Sequence, residues 1–288
     1  MDVGVEIMAV AVQQRLSNPR IRAMVVPREH GAWGILLVPL VTGAAVGIRS
    51  VDAALGVGLF TLVALSLFWL RTPVESCIGA GPMKVQTDAE ASAVLKSMML
   101  LGSLAAISLT TLFLRGEAKG LVELGAVAAG AFVVQAALKK FGRRYYMAAQ
   151  IIGSIGLTAT APGAYYVATG RLDATAVALW AANWIFAGNQ VHFVQTRIHN
   201  ARLAGPGQKI RRAAAFFAGQ VLMLAALLIA GRMHWLPALA LVAFVPVLTR
   251  GFLWFTAGQQ PLAVKRLGWT ELAHAISFGL LLIAGFLL

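Results

Sequence analysis

The feature that most restricts what this chain can become is its series of aliphatic runs, each of roughly 17–22 residues at full length. A helix needs about 20 residues to cross a hydrocarbon core of about 30 Å. Nine runs read as such spans: His30–Ile48, Ala53–Leu70, Ala93–Leu114, Leu121–Leu138, Met147–Ala168, Ala174–Gln195, Ala213–Gly231, Trp235–Thr249 and Glu271–Leu288. The eighth is the shortest, and the fourth and eighth are the least regular in their bounds. Alternating segments of about ten residues are missing, which argues against a membrane β-barrel. With 59% hydrophobic and only 12% charged residues, a soluble globular domain is excluded as well. The expected fold is all-α: a polytopic membrane helix bundle of about nine transmembrane helices, forming a single domain over residues 27–288.

The charges test this map. Nineteen of the 24 Lys and Arg fall in the N-terminus and in the loops after the even-numbered spans, counting Lys96 at the start of span three. Only Arg49, Arg115, Lys119, Arg171 and Arg232 lie on the other side. Basic loops stay in the cytosol, so the N-terminus is expected inside and the C-terminus outside. The net charge of +13 therefore belongs to membrane topology and anionic lipid headgroups, with no nucleic-acid partner. The single cysteine, Cys77, excludes an internal disulfide and falls in an expected cytosolic loop. Residues 1–26 carry Asp2 and Glu6 where a signal peptide would be basic. They read as an interfacial or disordered extension, with Met24 as an alternative start.

The sixth span ends in WIFAGNQVHFVQTRIHNAR (Trp184–Arg202). Asn189, His192, Thr196 and His199 share one helical face, widened by Gln195 and Arg202. Intramembrane polar groups are costly, so a face of them points to a cavity lining. Seven residues separate His192 from His199, too far to share one metal from a straight helix. Glu271 and His274, one turn apart at the start of span nine, are the available co-ligands; hydrogen-bonded lining is the expected state, and no metal site is expected.

Two more constellations stand at the same membrane side. Arg28-Glu29-His30-Gly31-Ala32-Trp33 opens span one, either as a basic and aromatic anchor or as a functional entry. Arg71 and Glu75 make an i,i+4 pair at the end of span two, where Pro73 is expected to end or kink the helix. Arg71 and Arg197 occupy matching places in spans two and six, which suggests two four-helix repeats plus a ninth helix. No Walker loop, Rossmann glycine pattern, HExxH or GxSxG occurs, so the cofactor is left open.

PREHGAWGILLVPLVTG (Pro27–Gly43) closely resembles the opening of the YwiC-like bacterial membrane proteins. The arginine–proline stretch after span two, the arginine-containing end of span six and Gly268-Trp269-Thr270-Glu271 are similar too. The resemblance covers most of the chain from Met24 onward. It implies a multi-pass location in the bacterial cytoplasmic membrane and no particular activity. The architecture is more distantly similar to UbiA-type prenyltransferases, whose aspartate-rich motifs after helices two and six hold Mg²⁺ and a prenyl diphosphate. Here those segments contain neither NDxxD nor DxxxD, and only Glu75, Asp88 and Glu90 offer carboxylates.

The expected protein is thus a UbiA-like membrane enzyme or binder with a cytosol-facing polar pocket. Its ligand would be an isoprenoid, quinone-like or other amphipathic molecule with an anionic head. Arg28, Arg71, Glu75, Asn189, Gln195, Arg197, His199, Glu271 and His274 are the candidate binding residues. Glu29, His30 and His192 are the candidates for proton transfer. A secondary transporter and a non-catalytic assembly factor are the alternatives.

Overall fold

The computed structural model describes residues 19–27, 30–79, 83–203, 205–259 and 262–288. No strand occurs among them. The α-helices are α1 (Pro19–Val25), α2 (His30–Gly47), α3 (Val51–Cys77), α4 (Asp88–Leu112), α5 (Ala118–Lys140), α6 (Tyr146–Thr158) and α7 (Thr160–Thr169). They continue with α8 (Ala174–His199), α9 (Pro206–Arg212), α10 (Ala214–Arg232), α11 (Ala238–Val242), α12 (Val245–Thr256) and α13 (Val264–Leu287).

Five helical stretches are long and apolar enough to cross a membrane: Val51–Cys77, Asp88–Lys140, Ala214–Arg232, Ala238–Thr256 and Val264–Leu287, with Gly31–Gly47 as a shorter one. This is a multi-pass membrane protein. The 53-residue stretch Asp88–Lys140 is broken at Gly116, whose φ of 92° suits glycine alone, so α4 and α5 are separate helices. Helix α8 has the length for a span, but Asn183, Asn189 and Gln190 make it more polar than the five.

Proline sets several helix ends. Pro162 has no N–H for the Thr158 carbonyl, and the run expected as span five divides there into α6 and α7. Span eight, expected to stop at Thr249, divides into α11 and α12. With Pro246 in its first turn, α12 continues to Thr256. Helix α3, by contrast, does not end at Pro73; it runs on to Cys77, which is exposed. A membrane helix tolerates one lost backbone bond of this kind.

The described residues fall into two compact units, within Met1–His30 with Gly58–Gly116, and within Gly31–Val57 with Glu117–Leu288. In the first, the seven-residue α1 is too short to be stable alone. It is held by its own orphan carbonyls. The Trp69 indole donates to the Val25 carbonyl at 2.7 Å, and the Ser76 hydroxyl to that of Met24 at 3.3 Å. Arg20 pairs with Glu90 at 2.5 Å and donates to the Gln86 side chain at 2.6 Å.

Glu90 also belongs to the start of α4, ahead of the apolar run. Thr87 caps the helix by accepting the Glu90 N–H at 3.3 Å, while the Glu90 carboxylate accepts the Gln86 N–H at 2.8 Å, a variant of the capping box. That N–H above all, and then Arg20, hold the Glu90 carboxyl below its ordinary value against the effect of burial. A depressed carboxyl contributes stability above its unfolded value and loses it as pH falls through the folded one. Amide protection of Pro19–Val25, corrected for intrinsic exchange, is therefore expected to hold at neutral pH and to fall below the ordinary carboxylate range. Glu90→Gln should weaken protection at neutral pH and abolish that pH dependence.

In the second unit α5 lies along α6, α6 and α7 along α8, and α11 along α13. Its core joins Val46, Leu179, Phe186, Phe244, Val247, Phe278 and Leu282, with the Phe186 and Phe278 rings stacked at 4.1 Å. Close helix approach depends on small residues. Gly43 of α2 lies on the backbone of Ala161 in α7, and the Thr160 hydroxyl donates to the Leu36 carbonyl at 3.0 Å.

Candidate functional site

Helix α8 is started by Asp173, whose carboxylate accepts the N–H groups of Thr175 at 3.0 Å and Ala176 at 3.2 Å. Its inward line at the far end is Asn189, Phe193 and Thr196, all buried. His192, Gln195 and Arg197 flank that line half-buried, and His199 is exposed.

The inward line meets an arginine that sequence reading had assigned to a basic loop. Arg250 lies within α12 because that helix continues past Thr249. Its side chain is 11% exposed, and that of Glu271 on α13 is 8% exposed. Arg250 Nη1 pairs with Glu271 Oε2, and Nη2 donates to Asn189 Oδ1 at 2.9 Å. The guanidinium carbon sits 4.0 Å from the centre of the Phe193 ring. The Gln190 side chain donates to the Glu271 backbone carbonyl at 2.9 Å. Three helices thus share one buried polar group. Arg250 Nε and Glu271 Oε1 have no hydrogen-bond partner among the described residues.

Next to this group stands an aromatic cluster of Phe193, Phe216, Trp254 and Phe255. The His192 ring meets Phe216 edge-on, with centroids 5.2 Å apart. Lys209 of α9 is 2% exposed and closes the end of α12: its ammonium donates to the carbonyls of Trp254 at 2.9 Å, Ala257 at 2.5 Å and Gly258 at 3.3 Å. A cation at a helix C-terminus is favoured by the exposed carbonyl dipoles. Burial, and then the charge of Arg197, push the Lys209 pKa down, while the three carbonyls favour the ammonium.

Arg197 differs from the other cations here. It feels the charges of Glu271 and Lys209, yet makes no hydrogen bond or ion pair among the described residues. Arg71, its expected counterpart, lies in the first unit and donates to Glu75 at 2.8 Å, each side chain about a quarter exposed. The Gln195 amide donates to Gln150 at 3.2 Å. His199 and His274 each bond a carbonyl of their own helix, Gln195 at 2.8 Å and Thr270 at 2.7 Å. Glu271, suggested as a co-ligand for those histidines, is paired with Arg250. Arg28 and Glu29 lie outside the described residues, and of His30 only its place at the start of α2 is described.

Sequence reading does not single out Arg250, Lys209 or Gln220. Span eight was read as only 15 residues long, short of the usual crossing length, and that shortness signalled a helix continuing through Arg250. Gln220 is the one hydrogen-bonding side chain in the run Ala214–Gly231. Nothing local distinguishes Lys209 from the arginines beside it.

Residues 26–165 match the model of a protein family described as YwiC-like protein. No curated protein matches the chain. The matched segment ends before α8, so the polar group around Arg250 lies wholly outside it.

Proposed function

Residues 26–165 being similar to the YwiC-like family, we propose that this membrane protein binds an amphipathic small molecule with an anionic head, isoprenoid or quinone-like, at the polar end of α8. The observation that carries the reading is Arg197. A half-buried guanidinium with no bonded counter-ion among the described residues is a ready receptor for a carboxylate or phosphate, whose oxygens match its planar fork. Asn189, Gln195 and Glu271 form the polar wall behind it. His199 and His274, on α8 and α13, are the further polar contacts for the head. His192 is the group to move a proton where the molecule is converted, as a UbiA-like membrane enzyme would do. The arrangement that goes with this reading is nine spans in two four-helix halves plus one, in the bacterial cytoplasmic membrane with the N-terminus inside.

The test is titration with dodecyl phosphate in an uncharged detergent. Charge-assisted hydrogen bonds contribute about 1.5–3 kcal/mol, so Arg197→Gln is expected to weaken binding by about tenfold to a hundredfold. Equal binding by wild type and variant would remove the reading.

Vectorial transport of the same molecule is the second reading. It is favoured by a polar contact deep in the second unit: Asn183, 1% exposed, donates to Thr42 at 3.0 Å, and its Oδ1 is unpartnered among the described residues. Accumulation inside proteoliposomes would select transport; binding without accumulation would select the first.

A further inference from the structure

Gln220 is 0% exposed, and neither its Oε1 nor its Nε2 has a hydrogen-bond partner among the described residues. An amide left this way in an apolar helix bundle is costly, and leucine or methionine would fill the same space without the penalty. Its surroundings explain which end is available. Gly251 of α12 packs so closely that a side chain there would run into Gln220 Oε1, while Nε2 stands farther off, 3.3 Å from the position of such a Cβ. The amide oxygen is therefore turned to the glycine backbone, a weak C–H partner. The two N–H groups have no acceptor among the described residues. On the adjoining side Gly219 faces the His192 ring of α8, whose Nδ1 lies 3.6 Å from where a Cβ would be. The Gln220 amide thus packs on the Gly251 backbone of α12, next in sequence to Arg250, while its neighbour Gly219 faces α8.

We propose that Gln220 is a specificity residue of this site, donating from Nε2 to a neutral carbonyl oxygen in the head of the bound amphiphile. The inference rests on the reading of Arg197 as the receptor of the anionic group, and adds a second, uncharged feature to the same ligand. A pure acceptor suits the amide better than a hydroxyl, because a hydroxyl brings its own O–H and the amide oxygen is already turned to Gly251. A second anion suits it less well, because Arg250 is committed to Glu271 and Asn189.

Two probes separate the features: 2-decyl-1,4-benzoquinone, which has carbonyls and no charge, and dodecyl phosphate, which has charge and no carbonyl. Gln220→Met keeps the shape and removes the donor. It is expected to weaken the benzoquinone about tenfold, the worth of one hydrogen bond, to leave dodecyl phosphate unchanged, and to raise the unfolding midpoint. Arg197→Gln should do the reverse to the two probes. The proposal is overturned if wild type does not bind the benzoquinone, if Gln220→Met binds it equally well, or if that variant lowers the midpoint, since the amide is then structural. Dodecyl phosphate binding that still depends on Arg197 would leave the anion reading standing in each of those cases.

Discussion

Arg250→Met is expected to cost about 3–5 kcal/mol of stability, because it leaves the Glu271 carboxylate buried without its counter-ion. Glu271 is 6% exposed, and Arg250 is its one bonded cation among the described residues. Arg197 feels that carboxylate without bonding it, so it relieves only part of the loss. Combining Arg250→Met with Glu271→Met should recover most of the stability, since two apolar side chains of similar volume replace the pair and no charge is stranded. Arg250→Lys should fall between, because a lysine ammonium cannot hold Glu271 and Asn189 at once in the fixed fork of a guanidinium. Unfolding in mild detergent measures all three. A double variant no more stable than Arg250→Met would show that the two residues do not compensate one another.

Gly43→Ala should have the next largest effect. A Cβ on Gly43 would fall well inside contact with the Ala161 carbonyl oxygen and only 2.8 Å from its carbon. The obstacle is backbone, which cannot swing aside as a side chain does. Helices α2 and α7 must separate, loosening the bond from Thr160 to Leu36. Overpacking of this kind costs about 1–3 kcal/mol, and the rigid neighbour puts this site at the upper end. Gly102→Ala is the control. A Cβ there meets nothing within 4 Å, and alanine is the better helix former by about 1 kcal/mol. A loss at Gly102 equal to that at Gly43 would show that the close approach is not what matters.

How much was legible in advance varied with the range of the interaction. The starts of α2 and α10 agree with the apolar runs to within a residue, and α8 begins just after its capping Asp173. These ends depend on neighbours in sequence. Span eight differs because it breaks ahead of Pro246 and runs on to Thr256, where Lys209 of α9, 45 residues away from Trp254, closes its end. The polar face of α8 was visible as a face, but its inward line passes through Phe193 rather than His192 and His199. Periodicity defines a stripe of the helix without saying which side the neighbouring helices cover. Arg250 was read by its charge and apparent loop position, both of which fit a topology signal.

By itself the sequence determined that this is a helical, multi-pass membrane protein. Apolar runs of crossing length must satisfy their backbone hydrogen bonds internally, and the helix does so from local residues alone. Its opening motif also pointed to the YwiC-like family before any coordinates. Only the tertiary structure decided that Asn189, Arg250 and Glu271, 61 and 21 residues apart, form one buried group. It likewise decided that Arg197 is left without a bonded partner among the described residues, and that Gln220 is sealed against Gly251. Those outcomes depend on which helix faces meet, and a meeting of faces is set by side-chain packing between distant segments, which no local pattern records.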